Sequence, residues 1–139
     1  MNLRSFSFAI LLLFCISSCN LEREVDLGHN YFLLGDNENS VISKKIKDKQ
    51  GVYEDVLLGE IKSYNYNEQY ILVKREINSK VKLLFQDHPL WKSQSGNDIQ
   101  FWLINKNTDE LKGPLDSLNF HQIIQDRNID LRLPNLKSS

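Results

Sequence analysis

Three histidines, His29, His88 and His121, are the residues whose side chains could most readily hold a metal. Zinc sites need ligands that converge at fixed distances, and a helical zinc pair announces itself as two histidines four residues apart. Here the three are scattered along the chain, one in the polar tether ahead of Tyr31, one beside Pro89 and one near the C-terminus. They read as surface or partly packed side chains, and no metal or cofactor is expected. Asp36, Glu38 and the neighbouring asparagines suggest calcium, but an EF-hand loop spreads its oxygens over twelve residues and ends in a bidentate glutamate. Asp and Asn bonding to their own turn backbone explain the cluster more simply. For nucleophilic catalysis there is no G-x-S-x-G elbow, and no phosphate-cradling or dinucleotide glycine pattern occurs. The carboxylate pairs Glu54-Asp55 and Asp109-Glu110 fall in turn-like sequence, where solvation is the default. No catalytic residue is expected. Aromatic side chains are the remaining candidates for recognition. Trp102 and Tyr70 sit within strand-like runs and are expected in the core, their polar tips at its edge. Tyr64, Tyr66 and Trp91 lie near turns and are the candidate partner contacts.

One further residue type carries chemistry of a different kind. The chain opens MNLRSFSFAILLLFCISSCN, with one cation at Arg4, an apolar segment from about Phe6 to Ile16, and small residues before Cys19. That layout is a secretory signal. The apolar core is short of the roughly 20 residues a membrane-spanning helix needs. Ile16-Ser17-Ser18-Cys19 resembles the lipobox of bacterial lipoproteins. The resemblance implies diacylglycerol on the Cys19 thiol, cleavage between Ser18 and Cys19, and acylation of the new amino group. Two or three acyl chains hold durably where one holds only marginally. Cleavage by an ordinary signal peptidase and retention as an uncleaved anchor are the competing readings. Asn20, rather than an aspartate, follows Cys19, and by the same resemblance this favours the outer over the inner membrane. The acidic LEREVD behind it loosely resembles a surface-export signal of some bacteria.

Removal of residues 1–18 from the 139 leaves 121, enough for one domain. Loss of Arg4 from 17 Lys plus Arg leaves 16 against 18 Asp plus Glu. A balance near minus two, with the short run Lys44, Lys45, Lys47 and Lys49 broken by Asp48, gives no footprint for nucleic acid. Cys15 leaves with the signal and Cys19 takes lipid, so no disulfide is expected. Packing alone must hold the fold.

The elements that would position the candidate residues are mostly strands. Residues 19–29 read as lipidated cysteine and polar tether, and 30–139 as a single domain. Tyr31–Leu34 and Val41–Ile46 read as strands around the turn cluster Gly35-Asp36-Asn37-Glu38-Asn39. Ile61–Tyr64 and Tyr70–Glu76 flank another turn. In the second of these, alternation sends Tyr70, Leu72 and Lys74 to one face and Ile71, Val73 and Arg75 to the other, which predicts a central strand covered on both sides at its start. Residues 77–98 read as a long connection with one partly packed piece, Val81–Phe85, and a break at Asp87-His88-Pro89. Ile99–Lys106 is strand, Leu111–Leu115 returns, and Asp116 caps a helix from Ser117 to about Arg127, with Leu118, Phe120, Ile123 and Ile124 on its apolar side. The expected fold class is α+β, an antiparallel meander with a C-terminal helix packed on it.

The ending FWLINK, a turn, GPL, a capping residue and a helix carrying Phe120 resembles the C-terminal part of small bacterial lipoproteins of uncharacterised function. LGDNENS and SYNYNEQYI fit the same pattern. The resemblance implies a fold and no activity. Asp116-Ser117-Leu118 also resembles a short O-glycosylation signal, although capping already accounts for Asp116. Together these readings lead to the expectation of an envelope lipoprotein that contacts the membrane through its lipid and binds an envelope protein or glycan. Two alternatives stay open: an inhibitor or immunity protein with one tight partner, and a hydrolase with convergent polar groups in a cleft.

Overall fold

The computed structural model describes residues 23–134. Cys19, the cleavage pair Ser18 and Cys19, and the remainder of the signal lie outside the described residues. No helix among the described residues is long and apolar enough to cross a membrane.

Eight strands form two four-stranded antiparallel sheets, each a meander in chain order. The first holds β1 (Glu24–Gly28), β2 (Tyr31–Leu34), β3 (Val41–Lys45) and β4 (Tyr53–Leu58). The second holds β5 (Ile61–Tyr66), β6 (Tyr70–Glu76), β7 (Ile99–Asn105) and β8 (Glu110–Leu115). The expected α+β class and meander are present, with the strands divided between two sheets.

The polar segment read as a tether contains β1. Its Leu27 is fully buried and Val25 packs on the core, while Glu24 and Asp26 face solvent. Two apolar residues alternating with acids form the minimal pattern of a half-buried edge strand, which is why the segment passes for a linker. His29 and Asn30, both at positive φ (52° and 67°), make the two-residue hairpin turn into β2. This backbone matches the twist of the flanking strands.

Three layers result. Leu27, Tyr31, Leu33, Ile42 and Leu57 of the first sheet pack against Ile71, Val73, Trp102 and Ile104 of the second. On the opposite face of the second sheet, Leu72, Phe101 and Leu103 meet Phe120, Ile129 and Leu133. Thus β6 is covered on both faces, as its alternation predicts. Trp102 is buried, and Tyr70 packs half-buried on the second core.

The region 77–98 holds two short helices, α1 (Ser79–Phe85) and α2 (Trp91–Gln94), separated by the expected break at Asp87-His88-Pro89. Asn78 caps α1 by accepting from the Lys80 and Val81 amides. Only Val81 of α1 is buried. The C-terminal helix α3 (Ser117–Asp126) starts where Asp116 accepts from Asn119 N at 2.8 Å. Phe120 anchors it, stacked on Phe101 with centroids 5.0 Å apart. Burying a side chain of this size contributes roughly 2 kcal/mol. Leu118, expected on the apolar side, is 79% exposed. At roughly 3.6 residues per turn Leu118 comes out about 160° around the helix from Phe120, on the side away from Ile123, Ile124 and the sheet.

Candidate functional site

Tyr64 and Tyr66 project from β5 at spacing two, hence to one side of the strand. Their rings stack at 6.5 Å with an interplanar angle of 14°. Tyr66 is 41% exposed, and Lys106 Nζ lies 5.6 Å from its ring centroid. Lys106 is itself buried and donates to Leu27 O at 2.5 Å; burial lowers its pKa. Tyr64 packs half-buried against the inter-sheet core and borders a cleft of about 420 Å³ with Arg23, Asp36, Lys62 and Lys74. The cations there are largely engaged: Arg23 with Asp36 at 3.8 Å, and Lys62 with Glu60 at 2.7 Å. Trp91, the third candidate contact, stands half-buried on α2, which packs on β4. The fold therefore pairs two of the three aromatics and puts the third on a separate element.

A second cleft, about 480 Å³, opens between the first sheet and β8. Tyr31, Val56, Trp102 and Leu111 supply its apolar lining, and Lys44, Glu54, Asp55 and Asp109 its charged rim. Asp109, in the β7–β8 turn at φ 59°, joins three elements through one carboxylate oxygen. Its Oδ1 accepts from the Tyr31 hydroxyl at 2.8 Å and from Lys44 Nζ at 2.5 Å. The Lys44 contact, followed by that of Tyr31, holds the Asp109 carboxyl below its usual range. Burial, reinforced by Asp109, pushes the Tyr31 hydroxyl pKa well up. Gly113 lies on the Trp102 ring so closely that an added Cβ would fall 2.4 Å from it. This contact gives the Gly-Pro-Leu motif its structural meaning.

Beside this cleft, Asp55 accepts from Ser43 Oγ at 2.8 Å and pairs with His88 Nε2 at 3.1 Å. The Leu90 amide donates to His88 Nδ1 at 3.1 Å, so Nε2 carries the hydrogen directed at Asp55. The order is serine, carboxylate, imidazole. A nucleophilic serine needs the imidazole next to it, and the Ser43 hydroxyl turns to the carboxylate instead. His29 is a turn residue, and His121, exposed on α3, bonds to Ser117 O at 2.6 Å through Nδ1. Ser117 is exposed at the start of the same helix. Among the described residues no group of three or more His, Cys, Asp or Glu is placed to hold a metal.

A buried polar chamber lies deeper, where β4, β6, β7 and α2 meet. Gln94 of α2 donates through Nε2 to Val56 O at 2.7 Å and accepts through Oε1 from Leu58 N at 2.9 Å. One side-chain amide thereby satisfies the edge of β4 as a neighbouring strand would. Arg75, fully buried, donates Nη1 to Leu58 O at 2.9 Å and to Gln94 Oε1 at 3.2 Å, and Nη2 to Gln94 O at 2.7 Å. Burial lowers its pKa to about 10, so it stays charged near neutrality. Trp102 Nε1 donates to Gln100 Oε1 at 3.1 Å. Neither the chamber nor the Asp109 cleft is visible as spacing along the chain. Tyr31, Lys44 and Asp109 read locally as strand and turn residues, and only sheet pairing unites them.

The fold and clefts define an α+β protein of two antiparallel meanders with a terminal helix, offering surfaces for contact. Residues 28–137 match the family described as "Protein of unknown function (DUF3997)". The chain belongs to that family. No curated protein and no solved structure matches it.

Proposed function

We propose that this protein is an envelope lipoprotein, anchored through Cys19 at the outer membrane, whose folded part is a non-catalytic binding module. The lipobox Ile16-Ser17-Ser18-Cys19 supports the anchor. Only Asn20 to Arg23 separate Cys19 from β1. Fully extended, that span reaches roughly 17 Å, which keeps the domain close to the lipid surface. Such confinement raises local concentration, so a weak contact to a neighbouring envelope protein suffices.

The observation that carries the binding assignment is the fixed polar rim over an apolar floor in the Asp109 cleft, a layout typical of recognition sites. Glu54, Asp55 and Asp109 outnumber Lys44 there, so the cleft suits a lysine or arginine presented by an envelope protein. The buried Trp102 ring, covered by Gly113, offers no open face for stacking a sugar.

The test combines intact mass, fractionation and capture. Wild type is expected to lack residues 1–18, to carry acyl mass on Cys19 and to pellet with membranes, whereas Cys19→Ala stays soluble. An envelope protein crosslinked to wild type at low salt should be lost with Glu54→Lys, which reverses charge on the rim. Soluble wild type cut elsewhere would overturn the anchor; capture indifferent to Glu54→Lys would overturn the cleft.

A further inference from the structure

Arg75 is an anomaly in the interior. All of its acceptors are neutral: the Leu58 and Gln94 carbonyls and the Gln94 amide oxygen. None of the ion pairs among the described residues includes it. Buried charges are ordinarily paired, because removal from water is costly. Two donors in the same chamber also lack an acceptor, Arg75 Nε and Gln100 Nε2. These residues face each other in the β6–β7 register, so their side chains leave the sheet as direct neighbours on one face. The Gln100 amide cannot be turned to relieve the shortage. Its oxygen is held by the Trp102 indole N–H, and a flip would set two donors against each other.

We infer that Arg75 and Gln100 form a binding site for one small inorganic anion of chloride size, seated between Arg75 Nε and Gln100 Nε2. The inference is independent of the lipid anchor and of the Asp109 cleft. A buried water is the usual partner for orphaned polar groups. Here both orphans are donors and one belongs to a buried guanidinium without a counter-charge; water can accept from both but leaves that charge unbalanced. An anion accepts from both, and it supplies the charge that Arg75 lacks. Access is short. An ideal Cβ on the exposed Gly96 would lie 3.3 Å from Gln100 Nε2, so the Ser95–Asp98 bend is what covers the Gln100 amide.

The measurement is thermal unfolding of the purified full-length chain in detergent, with sodium chloride replaced by sodium gluconate at constant ionic strength. Gluconate is a polyhydroxy carboxylate many times the size of chloride, so it serves as the anion that a chloride-sized site does not take. For wild type, Tm should rise by about 5 °C for each tenfold increase in chloride above the dissociation constant. Gln100→Glu keeps the size and the acceptor for Trp102 while placing a carboxylate beside Arg75. This variant should unfold at one temperature in both salts, above wild type in gluconate. Crystals grown in sodium bromide should show an anomalous peak between Arg75 and Gln100 in wild type and none in the variant. Equal wild-type Tm in the two salts, chloride dependence retained by Gln100→Glu, or a peak without anomalous signal would each overturn the site.

Discussion

Asp109 shows how much a single side chain can organise without any chemistry of its own. Its contacts to Lys44 and Tyr31 lower its pKa in the folded state, below the unfolded value of about 3.9. The stabilisation is therefore full above about pH 4 and is lost as pH falls through the folded value. Tyr31 works in the opposite sense. With its hydroxyl pKa raised, the stabilisation it gives is full below about pH 10 and is lost as pH rises toward the folded value. Asp109→Asn should cost less than about 1 kcal/mol at pH 7, since the Asp109 side chain is 55% exposed and water screens the pair. It should also make the loss of stability below pH 4 shallower than in wild type. The alkaline limb persists in the variant because burial is the first cause of the Tyr31 shift. Glu110, lowered by Arg127, contributes an acid limb to both proteins, so the difference between them is the quantity to read. Urea midpoints at pH 3, 7 and 10 measure it, and parallel acid limbs would remove Asp109 from this role. None of this was legible in the sequence, where Asp109 follows Asn107 and Thr108 as one more turn residue. Its partners are 65 and 78 positions away.

At the scale of elements, legibility followed the strength of the local signal. The run Ile99–Asn105 is β-branched and aromatic, Tyr70–Glu76 alternates, and Asp116 caps where capping chemistry places it, so β6, β7 and α3 could be read directly. Strand β1 could not, because an edge strand with one solvated face needs only Val25 and Leu27. Nor could the division into two sheets be read. Gly59, between β4 and β5, has no sequence signature for a change of sheet, yet a Cβ there would fall 2.0 Å from Ser40 O. Helix α2 was hidden by its length, four residues being too few for a period. Gly113 is the case where a motif was seen and its reason was not. An added methyl at φ +153° would enter the Trp102 ring and approach Phe101 O to 3.0 Å. Gly113→Ala should therefore destabilise by about 3 kcal/mol, through overpacking and a backbone conformation that alanine resists. Gly51→Ala is the control, with positive φ but nothing within 4 Å of the new Cβ, and should cost about 1 kcal/mol. Urea unfolding followed by tryptophan fluorescence compares the two. Equal costs would show that φ alone, rather than the Trp102 contact, fixes the glycine.

For the molecule as a whole, the decisive feature is that one sheet belongs to both cores. Ile71, Val73, Trp102 and Ile104 face the first sheet, while Leu72, Phe101 and Leu103 face α3 and the segment that ends in Leu133. Neither core can be dismantled without exposing β6 and β7, which are also the interior strands of their sheet. Arg75 and Gln94 reinforce the same junction by tying β6 and α2 to β4 of the other sheet. The two sheets should therefore unfold together, in the cooperative manner of a single small domain. Hydrogen exchange should find the slowest amides at Leu72, Val73, Trp102 and Leu103, near the global unfolding free energy, with β2 and β3 opening in the same event. Strand β1 should exchange fastest among the strands, since it is an edge with two inward side chains. A separate, lower-energy opening of β2 and β3 while β6 and β7 stay protected would mean that the inter-sheet core is a contact between two independent units. It would also mean that the Asp109 cleft, built from both sheets, is assembled only part of the time.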